Sequence, residues 1–254
     1  MQEVVQSVDR SLSILEVLSE YEDGLGITEI SEKVGLHKST IHRLLATLIY
    51  KGYVEQSSTT NKYKLTLKLF ELGSKKVEKL NVVTVSRPFL HELMEKTNEV
   101  VHLVVREGNE IVYVSKVESE NTIRMHSRIG RRAAVCCTAV GKSMLSHMSD
   151  EEVEEIWNTS EIKQLTQYTI TDLNEFKEHL KLVRERGYAV DEQENELGVR
   201  CIGTSVFNYK EEVCGAISVS GPIISFTEDK IEAYAQLLKE YANKISKELG
   251  YKGI

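Results

Sequence analysis

Apolar positions recur at helical spacing in three short runs along the first fifty residues. Val8, Leu12, Leu15 and Leu18 fall on one stripe of a helix that Ser7 can cap and Gly24 closes. A short second helix over 29–34 follows Thr28 and stops at Gly35, where the missing Cβ suits the left-handed position after a helix. The turn Gly35-Leu36-His37 leads into a third helix over 38–51, in which Ile41, Leu44, Leu45 and Leu48 form the i, i+3, i+4, i+7 set that buries one face. After Gly52 the period drops to two: 53–56, a polar turn over 57–61 and 62–65 predict a hairpin. Three helices followed by a hairpin describe a winged helix-turn-helix.

Beyond this point helical and strand periods alternate. The spacing predicts helices over 67–80 and 85–96, the second with Leu90, Leu93 and Met94 inward. Strands over 100–106 and 111–117 flank Gly108-Asn109 as a hairpin, with a third strand over 122–127. Helices follow over 138–148 and 149–157, the latter opened by the capping box Ser149/Glu152. A clearer helix over 172–186 is capped at Asp172, carries Phe176, Leu180 and Val183 inward, and stops at Gly187. Strands over 199–209 and 213–220 precede a long amphipathic helix over 227–249. Antiparallel hairpins with helices around them make the chain α+β. The organisation expected is a DNA-binding domain over 1–68, a helical linker over 69–84 with no Pro/Gly/Ser-rich break, and a larger domain over 85–254.

Charge sharpens the picture of the first domain. The 254-residue chain is acidic overall, net −7, yet Lys38, Arg43, Lys51, Lys62, Lys64 and Lys68 face only Glu55 between positions 36 and 68, a local +5 against −12 elsewhere. The polar side of the third helix presents Lys38, Ser39, Thr40, His42, Arg43 and Thr47, donors and small groups at a helix start whose dipole also favours a phosphate. In a helix-turn-helix that side reads base edges in the major groove of double-stranded DNA, while Lys62 and Lys64 on the wing meet the sugar-phosphate backbone. No apolar run approaches a bilayer span and no basic-then-apolar leader is visible, so neither a membrane nor secretion is expected; the cytoplasm is. Four cysteines, Cys136, Cys137, Cys201 and Cys214, include no C-x-x-C pair and read as reduced thiols.

Residues 25–30 (Leu-Gly-Ile-Thr-Glu-Ile), 38–48 (Lys-Ser-Thr-Ile-His-Arg-Leu-Leu-Ala-Thr-Leu) and Gly52-Tyr53-Val54 together resemble the DNA-binding segment of the IclR family, the isocitrate lyase regulator type. The resemblance spans nearly the whole chain. Thr138-Ala139-Val140-Gly141-Lys142, the run from Gly187 to Glu194, Gly198-Val199-Arg200-Cys201-Ile202 and Ser218-Val219-Ser220-Gly221-Pro222 look like signature blocks of that family's GAF-like mixed α/β effector-binding domain. It implies a pocket lined by Ala139, Val140, Asp191, Cys201, Ser218 and Ser220, with Ile123, Met125 and Ile129 as an apolar wall. It also implies a small organic acid as effector, with no cofactor, and self-association as a homodimer or dimer of dimers on an inverted-repeat operator, acting as a repressor or an activator, with repressor favoured. His37, Ala134 and Ser205 stand where the family commonly has proline, and Ser225 where it has arginine, so the effector's identity does not carry over.

Gly141-Lys142-Ser143 ends like a phosphate-binding loop, but Cys136 stands where the first glycine belongs. His102, His126, Asp191 and the cysteines have no metal-ligand spacing, and no G-x-S-x-G elbow surrounds Ser218 or Ser220, so neither a metal site nor catalysis is expected. Ser218 and Ser220 share one strand face and either converge on a ligand oxygen or satisfy neighbouring backbone. Arg128, Arg131 and Arg132 read as a solvated hairpin or as an anion-attracting cluster. The competing class is a GAF-like metabolite sensor whose small domain only mediates protein contacts, with a metal sensor third.

Overall fold

The computed structural model describes residues 4–77, 81–118 and 127–253. The chain divides into two compact units, Met1–Lys79 and Leu80–Ile254. The expected linker over 69–84 straddles that division.

The first unit contains α1 (Gln6–Ser19), α2 (Ile27–Val34), α3 (Lys38–Tyr50), β1 (Val54–Gln56), β2 (Tyr63–Leu65) and α4 (Lys68–Val77). Its core joins Ile14, Leu15 and Leu18 of α1, Ile30 of α2, Ile41, Leu45 and Leu48 of α3, and Val54 and Tyr63 of the hairpin. Gly35 ends α2 at φ 70°, the left-handed cap the sequence implied. Gly24 is needed for a different reason: at φ +71° its missing Cβ leaves room for the carbonyl of Tyr63, 2.4 Å from where that carbon would stand. This close approach lets Leu25 pair with Tyr63 and ties the hairpin to the helices.

Several local expectations are corrected. Ser7 lies inside α1, which starts after Val5 with no side-chain cap, and Val8 and Leu12 are 55% and 53% exposed. Thr28 lies inside α2, whose start is set by Gly26, its N–H donated to the Glu29 carboxylate at 2.7 Å. A helical stripe fixes which residues share a side, not which end of the stripe the neighbouring helices cover.

Among the described residues, the second unit forms a six-stranded antiparallel sheet in the order β5-β4-β3-β8-β7-β6, with helices on both faces. Its elements are α5 (Asn81–Thr97), β3 (Val100–Glu107), β4 (Glu110–Val117), β5 (Arg132–Ala134), a 3-10 turn over Val135–Cys137, α6 (Ala139–Leu145), α7 (Asp150–Thr159), α8 (Leu173–Arg186), β6 (Ala189–Glu192), β7 (Val199–Phe207), β8 (Val213–Pro222) and α9 (Glu228–Glu248). The expected strand over 122–127 lies outside the described residues except for Ser127, which is not in a strand. The short strands β5 and β6 were not anticipated, and α6 is shorter than the 138–148 reading at both ends: Thr138 caps its start, accepting the Gly141 N–H, and it ends at Leu145 with Ser146 as its C-cap.

Strand alternation sorts the two faces by chemistry. Val101, Leu103, Ile202, Ile217 and Val219 face Leu90 and Leu93 of α5 and Leu238, Tyr241 and Ile245 of α9, an apolar layer. The intervening positions include His102, Cys201, Gly203, Ser205, Ser218 and Ser220, small or polar yet mostly buried. Against this second face packs α6. Its backbone comes so close that a Cβ on Gly203 would stand 2.7 Å from Val140 N. Ser143 and Ser205 share a hydrogen bond of 2.9 Å across the same contact.

Candidate nucleic-acid interface and effector site

The α3 helix is divided cleanly between interior and solvent. Ile41, Leu45 and Leu48 are buried, each contributing roughly 1.5–3 kcal/mol. Lys38, Ser39, His42, Arg43 and Thr47 are exposed, and Thr40 is half-buried. The first turn of α3 leaves backbone N–H groups without intrahelical partners, so its end is electropositive. The wing turn is held by Ser57: its N–H reaches Lys62 O at 2.8 Å, its carbonyl accepts from Asn61 N and its hydroxyl from Thr60 N. The two wing lysines differ. The Lys64 ammonium meets the Glu55 carboxylate at 3.1 Å across the hairpin, its partner in register, whereas Lys62 leads the strand next to the turn.

On the second unit, four of the effector residues that the resemblance implied lie on neighbouring strands. Register pairs Asp191 with Cys201 and Cys201 with Ser220 in one row, and His102 with Ser218 and Ser218 with Gly203 in the next. Ala139 and Val140 are buried at the start of α6, over Gly203. Ile129, by contrast, is 62% exposed, and Ile123 and Met125 lie outside the described residues. Asp191 Oδ1 accepts from Glu194 N at 2.7 Å and Asn195 N at 3.3 Å. Burial nevertheless pushes its carboxyl up to about 7, against the pull of Lys142 and those two amides.

Sequence reasoning missed the residues that organise this face. Lys142, part of the discarded phosphate-loop pattern, is fully buried; its ammonium donates to Val190 O at 2.6 Å and pairs with Glu194. Tyr113 packs edge-on against His102 with ring centroids 5.0 Å apart. A bulge between β3 and β4, where Leu103 and Val104 oppose Ser115 and Tyr113, lets the odd position Tyr113 and the even position Lys116 share the α6 side. Alternation alone could not give that. Burial raises the thiols of Cys136 and Cys137 to about 12 and that of Cys214 to about 11. Of the three expected hairpin arginines, Arg132 lies in β5 and is paired with Glu107 and Glu110. Among the described residues no group of three or more His, Cys, Asp or Glu could hold a metal ion, and no helix is long and apolar enough to cross a membrane.

Both units match known sequence families. Residues 7–58 match the IclR helix-turn-helix domain, and residues 74–247 match the C-terminal domain of the bacterial transcriptional regulator IclR. The chain belongs to the IclR family. It is 41% identical over 97% of its length to the HTH-type transcriptional regulator KdgR of Dickeya chrysanthemi, covering 81% of that protein. It is 30% identical over 98% of its length to the transcriptional repressor IclR of Escherichia coli, covering 91%. The crystal structure of the Thermotoga maritima IclR superposes with a TM-score of 0.85 at 35% identity, covering 98% of this chain and all of that one. An IclR-family chain is a DNA-binding transcriptional regulator, not an enzyme.

His37, where IclR proteins commonly carry proline, sits at φ −62° and ψ 142°, the backbone that proline itself would fix, and α3 begins at Lys38 all the same.

Proposed function

We propose that this IclR-family chain is a cytoplasmic repressor of a metabolic operon. It grips an inverted-repeat operator as a homodimer, or a dimer of dimers, and changes its grip when a small carboxylate-bearing metabolite binds the polar face of the sheet. The observation that carries the DNA-binding half is the division of α3: Lys38, Ser39, His42, Arg43 and Thr47 in solvent, opposite a buried Ile41, Leu45 and Leu48. Lys62 and Lys64 of the wing serve the flanking phosphates. Self-association is supported by apolar surface within the first unit. Val5, Val8 and Leu12 of the α1 segment and Leu67 and Phe70 at α4 are exposed, and a groove of about 970 Å³ runs past α1, Leu44 of α3 and Leu69 and Leu72 of α4. The E. coli relative named as a repressor favours that sign of control.

The effector half is supported by Asp191, Cys201, Ser218 and Ser220 converging beside Ala139 and Val140. A metabolite controls occupancy only through a difference in its affinity for the DNA-competent and incompetent arrangements. The test is selection of bound duplexes from a random pool by the purified full-length protein, repeated with aliphatic and aromatic acids present. The expected result is an inverted repeat with half-sites about one helical turn apart, or a multiple, and loss of retention with at least one acid. A dimeric protein that enriches no sequence even at low salt would overturn the DNA-binding half.

A further inference from the structure

Methionine is a flexible side chain that ordinarily closes irregular gaps in an apolar core. At the far end of α6 a gap stays open. A cavity of about 270 Å³ lies there beside the last residues of β3 and the first of β8, and Met144, His147 and Met148 all line it. The chain keeps turning past Leu145: the amides of Ser146, His147 and Met148 donate to Lys142 O, Met144 O and Leu145 O. Positions 144, 147 and 148, three and four apart, therefore share one side. His147 packs edge-on against Phe207 with ring centroids 4.9 Å apart, and its ring nitrogens take no hydrogen bond among the described residues. Burial, helped by the Arg184 guanidinium, pushes its pKa below the ordinary value, so the ring is neutral and offers a lone pair.

Two thioethers and a neutral imidazole make an uncharged donor set, and the surroundings select what it can hold. Among the described residues no carboxylate lines the cavity, whereas Arg106 does, its guanidinium donating to Gly108 O at 2.9 Å. Arg184 is tied to Asp150 and to the carbonyls of Ser146 and Met148. A hard divalent ion would meet two cations here and no anionic oxygen. A soft monovalent ion carries half that charge and is the kind that thioether sulfur holds. Cys214 also borders the cavity, but its thiol donates to Val206 O at 3.5 Å and stays protonated, so it is not counted as a donor. That no three His, Cys, Asp or Glu side chains gather as a metal set does not bear on a cluster in which two of the three donors are methionines.

We propose that Met144, His147 and Met148 form a site for a soft monovalent metal ion, copper(I) or silver(I), at the opposite end of α6 from Ala139 and Val140. Binding moves no proton and no electron: each donor lends a lone pair and keeps its charge. The site stands independently of the effector reading. The test is anaerobic titration of the full-length protein, its five methionines carrying isotope-labelled methyl groups, with the acetonitrile complex of copper(I), followed by NMR and by competition with bicinchoninate. The Met144 and Met148 resonances, identified by their loss in Met144→Leu and Met148→Leu, are expected to shift together at one ion per chain while that of Met94 stays. Removing an outer partner of a metal ligand costs roughly 10- to 100-fold in affinity, so Met144→Leu, Met148→Leu and His147→Phe are each expected to cost about tenfold or more. Cys214→Ser is expected to cost less than about twofold, and zinc(II) to shift neither methyl. Copper(I) that binds without moving either resonance, or a Cys214→Ser loss as large as that of Met144→Leu, would place the ion on thiols and overturn the proposal. So would a shift of both methyls by zinc(II), or no binding of copper(I) at all. If His147→Phe does not melt cooperatively, the two leucine variants, which conserve volume, decide: affinity unchanged in both overturns the site.

Discussion

Arg43 is exposed on the side of α3 that we propose reads base edges, and a guanidinium fork matches the O6 and N7 of a guanine. Replacing it by alanine should weaken specific binding by roughly 1–3 kcal/mol at fixed salt, read by gel shift against a selected operator. His37→Pro should leave that binding intact and add about 0.4–1 kcal/mol of stability, because the native φ of −62° already fits proline and only the unfolded chain loses freedom. A lower melting temperature would show that the His37 N–H or ring has a role of its own. Asp191 makes a prediction about pH. Its folded-state value of about 7 stands above its ordinary 3.8, so between those values the folded protein holds the extra proton. The stabilisation is present below about 4 and is lost as pH rises through 7. Asp191→Asn keeps an acceptor for the Glu194 and Asn195 amides, and its urea midpoint should fall less than the natural protein's between pH 4 and 7; parallel profiles would assign the titration elsewhere.

At the scale of elements, the helices of the first unit and α7 and α8 of the second were legible in the sequence because one face of each is apolar and several of their ends carry Gly35, Ser149, Asp172 and Gly187; the longer strands declared themselves by apolar runs beside turn residues. The rest needed pairing to be known. The strands β5 and β6 are three and four residues long, too short for a period to declare itself, and exist because β4 and β7 offer edges to them. Tyr113 reached the site through a bulge, and His102 through register with Ser218, neither of which a single strand's alternation encodes. Of the effector residues named from the resemblance, those on β6, β7 and β8 come together, while Ile129 stands in solvent. The contact between α6 and β7 tolerates only glycine at 203: Gly203→Ala should lift Ala139 and Val140 from the sheet, lowering the thermal midpoint and weakening effector binding together. On the wing, Lys62→Ala should weaken binding to all sequences alike and flatten the dependence of log affinity on log salt by about 0.9 if the lysine neutralises one phosphate. Lys64→Ala should do less, since Glu55 already shares its charge. Equal slopes for Lys62→Ala and the natural protein would remove the wing from the interface.

For the whole molecule, the charge sits where the account needs it. A net +5 between positions 36 and 68 within a chain of net −7 gives one basic region on an otherwise acidic protein, which favours DNA at that region and disfavours coating of nucleic acid at large. A polar face is buried on one side of the antiparallel sheet, with an apolar layer on the other, and it is on that polar face that we propose the ligand binds. The central claim is that the solvent side of α3 enters a duplex groove. Amide hydrogen exchange of the full-length protein, measured free and saturated with its selected operator, tests it most directly. The account predicts slowed exchange across residues 38–47, with the wing at 57–64 following. Unchanged exchange over 38–47 with operator bound, and protection on another surface instead, would contradict it.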